Sequence, residues 1–396
     1  MSSVLKDLIR DASIEIFPLV REIRQHIHQH PEPSFKEFNT SAYLKSKLSD
    51  SGIPILGNWV KTGFIAEVQG VMPGKTITLR ADMDALPIEE LNTCSYASVN
   101  KGWMHACGHD VHSACLTGAA LVLHKLRNHW SGKVRFVFQP GEEVLPGGAS
   151  LMLEEGMLEE FPPGKLIAQH VFPELPAGHV GFRSGVYMAS TDEIHIKVIG
   201  KGGHGALPHT LKDPVLTAAQ VILALQQVVA RNASPGLHSV LSIGKVVANG
   251  ATNVVPSEVT LAGTFRTLDE NWRIKAHELI KQIVHYTCLA AGLESETDIR
   301  KGYPALVNDA ELTKSCRHAA IDYLGAENVH DLDVRMTAED FAWFAQRYPA
   351  CFYRMGTASP DGSKSSGVHT ATFDIDENAL ITGTGLMAWL AVYDLD

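Results

Sequence analysis

The motif HACGHD, residues 105–110, sets Cys107 two positions before His109, with His112 close behind. A thiol and an imidazole two apart cannot both reach one metal ion from a regular helix face, but they can from a loop leading into a helix. Gly108 between them suits a tight backbone turn. Taken alone the pattern carries little, because a cysteine is more often a small buried hydrophobe. QPGEE, residues 139–143, adds Glu142 and Glu143 after an apolar run. Adjacent carboxylates are costly to crowd unless a cation or a shared proton relieves them, or unless both stay solvated in a loop. His170 in AQHV and His369 in GVHTATFD complete four places that offer donor atoms. Either histidine alone would more commonly be a satisfied core or surface residue. Together, thiolate, imidazole and carboxylate suit zinc, manganese, cobalt or nickel rather than calcium or magnesium.

Elements of alternating type must position these groups. Residues 76–81 read as a buried strand ending in Asp82 and Asp84, KVRFVFQ as another ending at Glu142 and Glu143, and LIAQH as a third ending at His170. In an open α/β sheet, ligands bind beyond the carboxyl ends of the strands, so the three strands deliver polar groups to one edge. Residues 111–126, mostly apolar, read as a helix packed on that sheet. From residue 187 the texture changes to an alternating strand (DEIHIKVIG), a helix over 213–230, two alternating strands (LHSVLSIGKVVANG and SEVTLAGTFRT), a helix from Asn271 and a last strand near 297–303. That order is ferredoxin-like. The expected organisation is an α/β domain of residues 1–186 and 304–396, with residues 187–303 inserted as a smaller α+β domain.

The whole-chain properties bound the partners. A chain of 396 residues exceeds what one core comfortably supports. With 45% hydrophobic and 20% charged residues, it reads as globular rather than disordered. The net charge of -10, without a concentrated basic surface, disfavours nucleic acid. No apolar signal core is legible near the first residues and no run looks long enough to span a bilayer. Six scattered cysteines are too sparse for a disulfide scaffold, which points to a reducing, cytoplasmic setting.

At this point the motifs converge. HQHPEPSFKEFNTSAYL, LRADMDALPIEE, MHACGHDVH, FQPGEE, AQHV, GKGGHGALPH, ATNVVPSEVTLAGTFRT, MTAEDFAWF and VHTATFD occur in one order over nearly the whole chain. In this the chain resembles the metal-dependent amidohydrolases of peptidase family M20, in the branch of hippurate hydrolases, N-acyl-amino-acid deacylases (aminoacylases) and auxin-conjugate hydrolases. The resemblance implies a zinc-exopeptidase-like catalytic domain, a mixed sheet flanked by helices, with an inserted ferredoxin-like lid or dimerisation domain. It also implies two divalent metal ions, with Cys107 bridging them and His109, Glu143, His170 and His369 as the other protein ligands. Glu142 would be the general base and Asp84 would orient a ligand. His204 in GKGGHG would reach the substrate carbonyl, although a histidine in a glycine-rich turn could also merely end a strand. Asn253 and Arg266 are candidates for the substrate carboxylate, since arginine pairs with carboxylates bidentately; otherwise they are a turn residue and a strand-edge arginine. The sequence departs from the family's usual pattern at Pro33, at Gly141 and within MTAEDFAWF, which touches loops rather than ligands.

The activity implied is hydrolysis of the amide bond of N-acyl amino acids (N-acetyl, N-benzoyl or similar) to a carboxylic acid and a free amino acid. Two ions about 3.5–4 Å apart would activate a water for Glu142 to deprotonate. The partner is then a small N-acyl amino acid or dipeptide, and the assembly a homodimer or homotetramer. The rival within the class is an M20-type dipeptidase or carboxypeptidase. Outside it stand a thiol enzyme, with Cys107 as nucleophile and His109 or His112 as base, and a metal-retaining protein that only binds. Neither a Gly-x-Ser-x-Gly nor a His-Glu-x-x-His motif occurs.

Overall fold

The computed structural model describes residues 3–393. The chain forms two compact units. The first takes in the residues up to Gly185, Val307–Asp333 and those from Asp340 onward; the second comprises Val186–Leu306 and the short return segment Val334–Glu339.

In the first unit, eight strands form one mixed sheet in the spatial order Ile55–Trp59, Gly63–Gln69, Lys133–Gln139, Thr76–Asp82, Lys165–Pro176, Ala350–Ala358, Val180–Phe182, Val329–Asp331. The four central strands, from Lys133–Gln139 to Ala350–Ala358, run parallel. Parallel strands are covered on both faces, and this explains their near-continuous apolar runs. Val134, Phe136, Phe138, Ile77, Leu79 and Ile167 are all buried. Three helices, Ser3–Gln29, His109–Lys125 and Ala379–Tyr393, supply much of the covering core through residues such as Ile9, Val20, Ile23, Val111, Leu116, Leu123, Leu386 and Leu390. Each such side chain contributes about 1.5–3 kcal/mol when fully buried. At Gly118 an added Cβ would stand 2.8 Å from both Thr384 and Val20, so glycine there lets the three helices close on one another. The sequence ENALITGTGLMAWLAVYDL, residues 377–395, also reads as a final helix, and its last two positions, 394 and 395, lie outside the described residues.

The second unit has the strand-helix-strand-strand-helix-strand order. Its antiparallel sheet is arranged Ser239–Val247, Glu258–Thr267, Asp192–Ile199, Glu294–Lys301. Helices Pro214–Gln227 and Glu270–Ala290 carry side chains into its core, where Val221, Leu225, Ala276, Ile280 and Val284 pack with Ile194, Ile196, Val198 and Leu261. Both helix starts are capped by aspartate. The Asp213 side chain accepts from the Val215 and Leu216 N–H groups, and Asp269 accepts from Trp272 N–H. This is the ferredoxin-like arrangement expected.

Three details differ from the sequence reading. The strand carrying His170 does not stop there but runs to Pro176, because it pairs with Ala350–Ala358 beyond the point where its other neighbour ends. The last strand of the second unit is Glu294–Lys301 rather than 297–303, since its alternation Glu294, Glu296, Asp298 keeps acids on the outer face. The third difference concerns membranes. One helix, Pro214–Asn232, is long and apolar enough to cross a bilayer by length and composition, contrary to the expectation that no run would be. Its Thr217, Ala218, Val221, Leu225 and Val228 side lies in the core, while Leu216 and Leu223 stand exposed.

Candidate metal centre

Three adjacent parallel strands, Lys133–Gln139, Thr76–Asp82 and Lys165–Pro176, bring their polar ends together, as the sheet rule requires. Helix His109–Lys125 begins at the same edge. Its first turn is entered through Gly108 at φ 81°, and an added Cβ there would stand 2.5 Å from the Val171 side chain. This left-handed residue lets Cys107 and His109 face one point although they lie only two apart.

Cys107 Sγ lies 3.4 Å from His170 Nε2 and 3.3 Å from His369 Nε2. His369 Nε2 is 3.3 Å from Glu143 Oε1, which is 3.9 Å from His109 Nε2. Two donor sets result, Cys107 with His109 and His170, and Cys107 with Glu143 and His369, and they share the thiol. His369 reaches the cluster from a left-handed residue, φ 62°, whose N–H donates to Ala106 O at 2.7 Å. That bond ties the distant loop to the segment carrying Cys107.

The residues fit a cation. His109 Nε2 is buried with no hydrogen-bond partner, a costly state for a polar atom unless a metal satisfies it. The other nitrogens are already committed. His109 Nδ1–H donates to Asp84 Oδ1 at 3.2 Å and His170 Nδ1–H to Val171 O at 2.8 Å, which leaves each Nε2 lone pair facing the cluster. Burial, with Arg354 and His112 nearby, holds His170 well below the usual imidazole range, so it stays neutral and able to ligate. Burial opposes charge on His109 too, but Asp82 and Cys107 outweigh it and raise its pKa well above the usual value. Hydrogen bonds to Cys107 and Glu143 push His369 up to about 10. Burial and the Glu143 carboxylate raise the Cys107 thiol. Binding a cation here therefore displaces protons.

Glu142 is buried beside this cluster. Its own N–H donates to Asp84 Oδ1 at 3.0 Å, and Asp340 N–H donates to its Oε1 at 3.4 Å. Asp84 is a hub that also accepts from Glu143 N–H at 3.0 Å and Ser34 Oγ at 2.7 Å.

Several residues that no motif reading placed hold this edge. His112 donates from Nδ1 to Asp82 at 2.6 Å and accepts the Val171 N–H at Nε2, 2.9 Å. Both nitrogens are used, so His112 is not free to serve Cys107 as a base. Arg80 joins Asp82, Gln139 and Asp340 beneath the site at 2.6–2.8 Å. Arg24, fully buried, pairs with Asp110 at 2.8 Å and Asp374 at 2.9 Å, each close in sequence to a cluster residue. Asp340 lies in MTAEDFAWF, a motif visible in the sequence without an evident role.

In the second unit, Gly203–His204 pairs with Val254–Val255, and Gly205 N–H donates to Asn253 O at 2.9 Å. His204 and Asn253 are thus brought side by side, both exposed. His204 Nδ1 accepts the Ala206 N–H at 3.1 Å. With Nδ1 accepting, Nε2 is the ring's donor position. Arg266, half-buried, donates to Met336 O at 3.3 Å.

Residues 78–392 match the peptidase family M20/M25/M40. The chain belongs to this family. It is 41% identical over 285 residues to the N-acyl-L-amino acid amidohydrolase of Geobacillus stearothermophilus, covering 72% of this chain and 76% of that one. It is 35% identical over 381 residues to thermostable carboxypeptidase 1 of Saccharolobus solfataricus, covering 96% of each. Among solved structures, Bacillus subtilis YXEP, a dinuclear metal binding peptidase from the M20 family, superposes with a TM-score of 0.81 at 32% identity, covering 96% of this chain and 99% of that one. The family resemblance and the reading as a metal-dependent amidohydrolase are borne out.

Proposed function

We propose that this M20 enzyme hydrolyses the amide bond of N-acyl amino acids, releasing a carboxylic acid and a free amino acid, with two divalent ions (zinc, manganese, cobalt or nickel) per subunit. The observation that carries this reading is the sharing of Cys107 between two donor sets, with Glu142 buried beside them. Cys107, His109, Glu143, His170 and His369 would hold the ions. When bound, the ions supply an activated water and polarise the scissile carbonyl. Glu142 accepts a proton from that water and delivers it to the departing amine nitrogen. Asp84 keeps His109 in the tautomer whose Nε2 faces the cluster. The Nε2–H of His204 is the donor to the developing oxyanion, and Arg266 and Asn253 meet the substrate carboxylate. We assign the second unit the further roles of lid and of subunit contact in a homodimer or homotetramer. None of the six cysteines is in a disulfide, which suits a reducing compartment such as the cytoplasm.

A dipeptidase or carboxypeptidase is the second reading, favoured by the carboxypeptidase relative. Both are tested by offering N-acetyl, N-benzoyl and indole-acyl amino acids and dipeptides to metal-stripped protein before and after each ion. We expect metal-restored cleavage of the acyl amino acids, and a loss of about 10²–10⁴-fold in kcat for Glu142→Ala with metal content retained. Preference for dipeptides would move the assignment to the second reading, and activity indifferent to metal would end both.

A further inference from the structure

The loop that carries Glu142 and Glu143 donates three consecutive backbone N–H groups to buried carboxylates. Those of Glu142 and Glu143 go to Asp84. The first, from Gly141, goes to Glu37 Oε1 at 2.9 Å. Glu37 is fully buried at the start of helix Phe38–Asp50, where glutamate is rarely found without a task. The same Oε1 accepts Phe35 N–H at 2.8 Å, and Oε2 accepts the Thr62 hydroxyl at 2.7 Å.

The backbone on either side of this carboxylate is held in an uncommon conformation. Phe35 has φ 63° and Gly141 φ 60°. For phenylalanine the left-handed region is unfavourable and persists only where the surroundings impose it. The Phe35 ring lies over Gly141 so closely that a Cβ there would stand 2.3 Å from Cε1. Ser34, one residue before, donates to Asp84 Oδ2 at 2.7 Å. Segment 34–37 thus grips the loop twice, through its own carboxylate and through the one that orients His109.

We propose that Glu37 is a positioning residue for the amide-hydrolysing centre, fixing through Gly141 and Phe35 the backbone from which Glu142 and Glu143 project. It serves the first N–H of the loop as Asp84 serves the next two. The inference rests on the roles assigned above to Glu142 and Glu143. What it asks of Glu37 is an acceptor at Oε1, which an amide side chain of the same length also supplies. Without an acceptor, the buried Gly141 N–H and the part-buried Phe35 N–H must turn elsewhere, and the loop turns with them. Groups that hold first-contact residues typically change metal affinity or activity 10- to 100-fold when removed.

The test uses the full chain and three variants, Glu37→Ala, Glu37→Gln and Thr62→Val, with kcat, KM, thermal midpoint and manganese affinity by chelator competition. Thr62→Val removes the contact to Oε2 and leaves the Gly141 bond in place, so it reports general loosening of the segment. Glu37→Ala should lower kcat by about 10- to 100-fold with KM within about threefold, and weaken manganese binding about tenfold. Glu37→Gln should restore both to within about threefold of the parent, and Thr62→Val should lower the midpoint while leaving both unchanged. The proposal is overturned if Glu37→Ala keeps its kcat and metal affinity, if Glu37→Gln falls as far as Glu37→Ala, or if Thr62→Val falls with them. Should the parent protein cleave none of the offered amides, the substrate reading fails instead, and manganese affinity alone decides on Glu37 by the same pattern.

Discussion

The two units treat ionisable residues in opposite ways. In the first, Arg24, Arg80, Asp82, Asp84, His105, His109, Asp110, His112 and Asp340 are all buried, most of them in connected ion pairs. In the second, buried charge is sparser: beside Glu339 it is one cluster, Asp192 with Arg273 at 2.6 Å and His277 at 2.7 Å. There Arg273 also donates to the carbonyls of Thr191 and Gly302, stapling the start of one strand to the end of another. The difference follows from the sheets. A parallel sheet covered on both faces leaves its strand ends as the place where polar groups can converge in a low dielectric, whereas an antiparallel sheet covered on one face can send its charges to water. Chemistry gathers where desolvation strengthens electrostatics, and fold maintenance needs far less of it.

The largest effect should come from removing the central cation of each cluster. Arg24→Met takes the shared cation from Asp110 and Asp374, leaving the first with His28 and the second with Lys364, and should cost about 3 kcal/mol in chemical denaturation. Arg273→Met should cost a similar amount. Only Arg24→Met should also weaken manganese binding, because Asp110 follows His109 and Asp374 closes the loop of His369. Equal metal loss in both variants would erase the contrast between the units.

A smaller effect depends on pH. His105 is buried with neither ring nitrogen hydrogen-bonded, and burial pushes its imidazole down to about 3. Its folded pKa lies below its unfolded one, so the unfolded chain binds the extra proton as pH falls below about 6.5 and stability is lost down to the folded pKa. Each pH unit in that window should cost the metal-free protein about 1.4 kcal/mol from this group. Urea titrations at pH 6.5 and 5 should show this slope reduced in His105→Leu, and an unchanged slope would mean that the ring is not held neutral.

The smallest effect belongs to the second unit's outer surface. Leu223, 72% exposed, faces away from the core on its helix. Leu223→Gln should change stability by less than about 0.5 kcal/mol by thermal or urea unfolding. A large loss would show that this face is covered in the assembled protein.

Much of this was legible in short motifs. Cys107 precedes a helix, Glu142 and Glu143 follow a strand, and His170 and His369 sit in short motifs of their own, so donor type and local order were enough to single them out. The ferredoxin-like unit was legible because a sheet buried on one face imposes alternation. The strand through His170 was read as too short, since its extension depends on a neighbour far along the chain. Arg24, Arg80 and Glu37 were not legible as supports. Arg24 meets Asp110 and Asp374 at separations of 86 and 350 residues, and Arg80 meets Asp340 at 260. No spacing rule links residues that far apart.

By itself, then, the amino-acid order determined the donor types, the alternation of strands and helices and the family to which the chain belongs, because these are written in contiguous residues. Tertiary structure alone decided that the two ring nitrogens of His112 are spent on Asp82 and Val171, and that Glu37 holds Gly141. Those facts depend on where a sheet edge brings distant segments within hydrogen-bond reach, a distance that packing sets and local sequence does not.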